Sequence, residues 1–123
     1  MRAVGKVSEL TGVSVRALHH YDEIGLLSPS DRSQAGYRLY SYEDLTRLQE
    51  ILTWRALGFS LAEIGPLLDD PAHDRLTALQ RQRELVERER ERLSAIADAL
   101  DAALQAHENG TQLKETTMFE GFD

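Results

Sequence analysis

The 123 residues hold 14 Lys and Arg against 21 Asp and Glu, a formal net charge of −7, with 41% hydrophobic and 28% charged residues. That is the balance of a globular chain of one domain, or one domain plus an appendage. Cysteine is absent, which excludes disulfides, thiolate catalysis and cysteine-based metal or iron–sulfur sensing.

Residues 6–10 read as a short helix stopped near Gly12. Ser14 offers the hydroxyl an N-cap needs, and the next helix runs from 15 to about 24. Val15, Leu18 and Asp22 share one of its faces; Arg16, His19, His20 and Glu23 occupy the other sides. Gly25 suits the left-handed position that ends it. Two short helices joined by a tight glycine-containing turn predict a helix-turn-helix, the second helix reading DNA. Segments 26–29 and 36–40 flank the polar loop SDRSQA. The alternation of Tyr37, Arg38, Leu39 and Tyr40 is strand-like, so the two segments predict a small hairpin, or wing, with Tyr37 outward and Tyr40 packed.

Ser41 caps a third helix, with Glu43 and Asp44 in its positive first turn. Leu45, Leu48, Ile51, Leu52, the stem of Arg55 and Leu57 are its expected buried stripe, Trp54 is a core residue, and Gly58 ends it. Ser60 and Glu63 make a capping box for a fourth helix. Pro66 inside that helix removes a hydrogen bond and predicts a kink or a split.

The longest helical pattern spans 75–108, a rod of about 50 Å. Leu79, Val86, Leu93 and Leu100 recur at sevens; Ile96 and Ala103 supply partner positions in the second half, where Gln82 and Glu89 stand in the first. Such a repeat is what a two-helix coiled coil buries, so the rod is expected to pair with a second copy, most strongly between Leu93 and Leu104. The RQRELVERERERL run reads as its solvated face. The tail shows no clear element and ends on MFEGFD, where a further domain is expected to begin. The domain reading is 1–71 for the head, 72–108 for the dimerisation helix and 109–123 for the tail.

No apolar run reaches the length of a membrane helix, and the first residues lack a signal-peptide core. His19, His20, His73 and His107 have no metal-ligand spacing, so no metal and no cofactor are expected. The acidity is uneven: residues 1–58 hold seven Lys and Arg and seven Asp and Glu, whereas 59–123 hold seven and fourteen. A neutral head that binds DNA must place its few cations well, in duplicate through dimerisation. Arg16, His19, His20 and Tyr21 on one element, with Tyr37 and Arg38 on another, form the layout of a duplex reader. A coiled-coil adaptor whose head binds protein is the alternative. An enzyme is a poor third, because no carboxylate pair, activated nucleophile or phosphate-cradling loop is visible.

The ordered blocks VSVRALHHYDEIGLL, GYRLYS, DLTRLQ and LGFSLAEI, followed by the long helix, resemble the MerR family of bacterial transcription regulators over about residues 2 to 108. With HHYDEIGLL and the MFEGFD terminus, the chain is most similar to the DNA-binding and dimerisation part of the thiostrepton-induced TipA class. The resemblance implies a mainly α fold: a winged helix-turn-helix followed by a long antiparallel coiled-coil dimerisation helix. It implies a homodimer on a pseudo-palindromic promoter site in the bacterial nucleoid, bending and untwisting an overlong spacer for RNA polymerase. A small-molecule effector is implied to bind only a missing C-terminal domain. Carried over by position, Ser14, Arg16, His19, His20, Tyr21, Arg32, Tyr37 and Arg38 are DNA contacts. Arg16 and His19 face the major groove, His20 the sugar–phosphate edge, and Tyr21, Arg32, Tyr37 and Arg38 the backbone. His19 stands where many members carry Arg, a stronger partner for guanine or phosphate. Leu79, Val86, Leu93, Ile96, Leu100, Ala103 and Leu104 are the implied dimer seam.

Overall fold

Three serines punctuate the first sixty residues, and each starts a helix. The hydroxyl of Ser14 accepts from the amide of Ala17 at 3.0 Å, that of Ser41 from Asp44 at 3.0 Å, and that of Ser60 from Glu63 at 3.1 Å. At Ser41 and Ser60 the acidic residue reaches back to the cap's own amide, completing a capping box. Each cap is worth about 1 kcal/mol. In the computed structural model, which describes residues 1–122, the elements are β1 (Arg2–Ala3), α1 (Val4–Thr11), α2 (Val15–Glu23), β2 (Asp31–Arg32), β3 (Arg38–Tyr40), α3 (Tyr42–Ala56), α4 (Leu61–Asp69), α5 (Arg75–Asn109) and α6 (Glu115–Met118).

The chain divides into two units, Met1–Leu79 and Gln80–Asp123. In the first, α1 and α2 form the helix-turn-helix and the three strands form an antiparallel sheet in the order β1-β3-β2. Arg2 faces Tyr40, Ala3 faces Leu39, and Arg32 faces Arg38. The core gathers Val7, Leu18, Leu27, Tyr40, Ile51 and Ile64, all nearly or fully enclosed, with Trp54 tilted against Phe59 at 4.8 Å between ring centroids.

Several expectations are corrected here. Segment 26–29 is not a strand. The carbonyl of Tyr21 accepts the amides of both Leu26 and Leu27, closing the end of α2 so that both leucines plug the core. The strand opposite β3 is instead the polar pair Asp31–Arg32 inside the expected loop, and β1 adds a third strand. Val15 is exposed, and Tyr21 joins Leu18 in the core in its place. On α3 and its C-cap, Leu48, Ile51 and Trp54 are buried as expected, but Arg55 is exposed, Leu45, Leu52 and Leu57 are only half-buried, and Glu50 is buried in their place. Of the expected kink or split at Pro66, the split does not occur, since α4 is continuous through it. Its start is held by the Ser60–Glu63 box one turn earlier, so the missing amide falls after the helix has nucleated.

A buried ion cluster closes the far side of this unit. Glu50, 2% exposed, lies 2.8 Å from His73 Nε2 and 3.9 Å from Arg75 Nε, and Arg75 also donates to the side chain of neighbouring Gln49 at 2.9 Å. His73 belongs to the connection from α4 into α5, and Arg75 is the first residue of α5.

In the second unit α5 ends at Gly110, which takes φ 66° while Thr111 donates back to the carbonyl of Ala106. The tail does contain an element, the four-residue α6. It brings Gly121 against α5, so closely that an added Cβ would stand 2.7 Å from the Ile96 side chain and 3.0 Å from the Arg92 carbonyl. Ile96, expected on the dimer seam, is thus packed against its own chain. Val86, Leu93, Leu100 and Leu104 stay exposed along α5, and Ala103 is half-buried. Arg83–Glu87, Arg90–Glu87 and Arg92–Glu89 pairs lace its solvated side, where water screens them.

Candidate nucleic-acid interface

The recognition helix is aimed by its two ends. At the turn before it, Gly12 takes φ 76° and its amide returns to the carbonyl of Ser8, while Thr11 Oγ1 accepts the amide of Val13 and donates to the carbonyl of Val7. Ser14 then caps α2. With Leu18 and Tyr21 pinned in the core, Arg16 and His20 are left exposed and His19 half-buried. The Ser14 oxygen is engaged as a cap, and its own hydrogen remains for an external acceptor. Tyr21 is 7% exposed, so its ring is structural. Its hydroxyl makes no hydrogen bond among the described residues and, unlike that of Tyr40, is not enclosed.

The wing turns at Ser33–Gly36, where Gly36 takes φ 84° and donates to Ser33, and Arg32 Nη1 donates to the Gly36 carbonyl at 3.3 Å. Tyr37 follows at 67% exposure. Because Arg32 and Arg38 are cross-strand partners, two guanidinium stems stand opposite one another on the pleat. Like charges so placed repel. One carboxylate answers them: Arg38 Nε donates to Asp22 Oδ2 of α2 at 3.1 Å, tying the wing to the recognition helix. Burial works to raise the Asp22 pKa, but hydrogen bonds from Arg38 and Ser28 and the charges of Arg38 and Arg32 outweigh it and hold the group below its ordinary value. Asp22 is therefore charged at neutral pH and cancels one of the two cations. Only Nε of Arg38 is spent on it, leaving the other guanidinium N–H groups for an anion.

The structure thus brings Ser14, Arg16, His19 and His20 together on α2 and joins them through Asp22 to Arg38 beside Arg32 and Tyr37. It keeps the Tyr21 ring apart from them in the core. The Asp22–Arg38 link spans 16 positions and carries no sequence signal. Tyr42, the first residue of α3, is 77% exposed. Among the described residues there is no group of three or more His, Cys, Asp or Glu able to hold a metal ion, and no helix is long and apolar enough to cross a membrane.

Residues 3–70 match the family described as MerR HTH family regulatory protein, and residues 45–103 match that described as MerR, DNA binding. The HTH-type transcriptional activator TipA of Streptomyces coelicolor is 50% identical over 120 residues, covering 98% of this chain and 47% of that protein. The chain thus spans about half the length of the curated relatives it matches. The crystal structure of the HTH-type transcriptional regulator SkgA from Caulobacter crescentus is similar with a TM-score of 0.87 at 45% identity, over 98% of this chain and 87% of that one. HiNmlR, a MerR family regulator lacking the sensor domain and bound to promoter DNA, is similar with a TM-score of 0.67 at 27% identity, over 89% and 94% of the two chains.

Proposed function

Because the chain belongs to the MerR family of helix-turn-helix regulatory proteins, DNA-binding transcriptional regulators rather than enzymes, we propose that it binds a pseudo-palindromic promoter site as a homodimer and distorts the spacer to activate transcription. The observation that carries this reading is the Arg32–Arg38 pair, half-neutralised by Asp22 and set beside the exposed face of α2. A phosphate between the two arginines removes their mutual repulsion, and the Asp22 contact fixes the phosphate site relative to the helix that enters the groove. Arg16 and His19 read base edges, His20 lies along the sugar–phosphate edge, and the hydroxyls of Ser14, Tyr21 and Tyr37 reach the backbone. HiNmlR, bound to promoter DNA, supports the partner.

The exposed row Val86, Leu93, Leu100 and Leu104 joins two copies into an antiparallel coiled coil, with Leu79 and Ala103 at its margins. Two heads so joined present two recognition helices to half-sites on one duplex. Bending and untwisting the intervening DNA costs a few kcal/mol, which phosphate contacts from two wings offset. The working site is promoter DNA in the cytoplasm together with RNA polymerase, and an effector acts through residues outside this chain.

The deciding experiment is selection from a pool of random duplexes, sequencing what the chain retains. Enrichment of two inverted half-sites, with affinity falling steeply as salt rises, is the expected result. A folded, dimeric chain that enriches nothing overturns the reading and leaves the adaptor in its place.

A further inference from the structure

We propose that the turn at residues 119–122 belongs to the dimer interface, with Phe119 and Phe122 packing on the second copy of the chain beside the leucine row of α5. The proposal rests on the dimeric reading above and draws only on residues of the second unit.

A segment that merely folds back on its own helix buries its largest apolar side chains. This tail does the reverse. The amide of Phe122 donates to the carbonyl of Phe119 at 3.2 Å, closing a four-residue turn after α6. Gly121, inside the turn, takes φ 89°. The glycine is what meets α5, where a Cβ would stand 2.7 Å from the Ile96 side chain and 3.0 Å from the Arg92 carbonyl. Phe119 and Phe122, at the two ends of the turn, stay 63% and 59% exposed, and Met118 is exposed beside them. A phenylalanine buries about 150–250 Å² when enclosed, so the two rings leave roughly 200–300 Å² per copy uncovered. Contiguous apolar surface on that scale marks an interaction site.

The place where Gly121 lands points to the cover. Ile96 lies about 60° round the helix from Leu93 and about 40° from Leu100. The turn therefore borders the row Val86, Leu93, Leu100 and Leu104, all of them exposed. Helices pack with axes about 8–10 Å apart, and each is about 10–12 Å across with its side chains. A partner helix seated on the row thus comes alongside the turn. The row alone is narrow against the roughly 800 Å² that a stable complex buries per partner, and the two rings supply about a quarter to a third of that area. Row and turn adjoin on one helix, so one second copy covers both.

The test measures the dimer dissociation constant of the full chain by sedimentation over a dilution series. Phe119→Ser combined with Phe122→Ser is expected to weaken dimerisation by at least about tenfold. Helix content by circular dichroism should be unchanged, because both rings are exposed in the single chain. Gly121→Val has no room for its side chain against Ile96 and Arg92. It is expected to lift the turn off α5 and weaken the dimer in the same direction with both rings intact. Dissociation constants within about twofold of wild type in both variants overturn the proposal. Tighter dimers overturn it too, since the turn would then compete with the partner. p-Benzoylphenylalanine in place of Phe122 gives the direct reading. Irradiation at concentrations where sedimentation shows dimers is expected to yield covalent dimers; crosslinks confined to single chains sink the idea, whatever the dissociation constants. If wild type stays monomeric throughout, the dimeric reading falls and this proposal with it. A wild-type dimer with both variants unmoved removes this proposal alone.

Discussion

Arg38 has two partners to satisfy, one inside the protein and one outside. Its Nε holds Asp22, and its remaining donors face the proposed phosphate. Arg38→Ala should therefore weaken binding to all sequences alike and lower the salt slope by about two for a dimer, one phosphate per copy. Salt titrations on selected and scrambled duplexes check this; a loss confined to the selected sequence would contradict the phosphate role. The variant also frees Asp22 from the bond that depresses its pKa, which a titration of that carboxyl would register as a rise. Tyr40 behaves oppositely. Its hydroxyl is enclosed without a hydrogen-bond partner among the described residues, and burial raises its pKa. Tyr40→Phe removes an unpaid desolvation cost and should raise stability by about 1 kcal/mol in denaturant unfolding, with DNA affinity unchanged.

At the scale of elements, the helices were readable because their signals are local. Ser14, Ser41 and Ser60 announce three starts, and Gly12, Gly25 and Gly58 sit at left-handed stops. Strand β3 was readable too, from the alternation Tyr37 to Tyr40; β1 and β2 were not, because they are two residues each and exist only through pairing with β3. Asp31–Arg32 has no apolar alternation, and nothing in it announces a partner six residues on. The heptad row on α5 was legible as a spacing. That Ile96 would also meet Gly121 depends on the tail reversing, which no periodicity encodes. Of the interface, Arg16 and Tyr37 were visible as exposed groups on patterned elements, whereas the Asp22 bridge needed coordinates. Leu93 is 52% exposed in the single chain. Leu93→Asp places a charge in the proposed seam and should give monomers in sedimentation with the head still folded; persistent dimers would remove α5 from the interface.

For the whole molecule, the net charge of −7 opposes DNA at long range, so binding must come from cations placed at contact, and it should fail early as salt screens them. Acid acts on the same links. Burial would raise Asp22 and Asp44, but hydrogen bonds to each outweigh it, so both titrate below the ordinary 3.8 when folded. A depressed folded pKa gives stability that is fully present above 3.8 and is lost as pH falls through the folded values. Denaturant midpoints should hold near neutrality and drop below that point, less steeply in Asp22→Asn. Asp44 carries a kinetic corollary. The amides of Ser30 and Ser41 end on the same oxygen, so neither can trade its proton with solvent until that oxygen lets go. In exchange terms, the hinge of the wing and the first turn of α3 are one gate with one opening rate, although eleven positions separate the two serines.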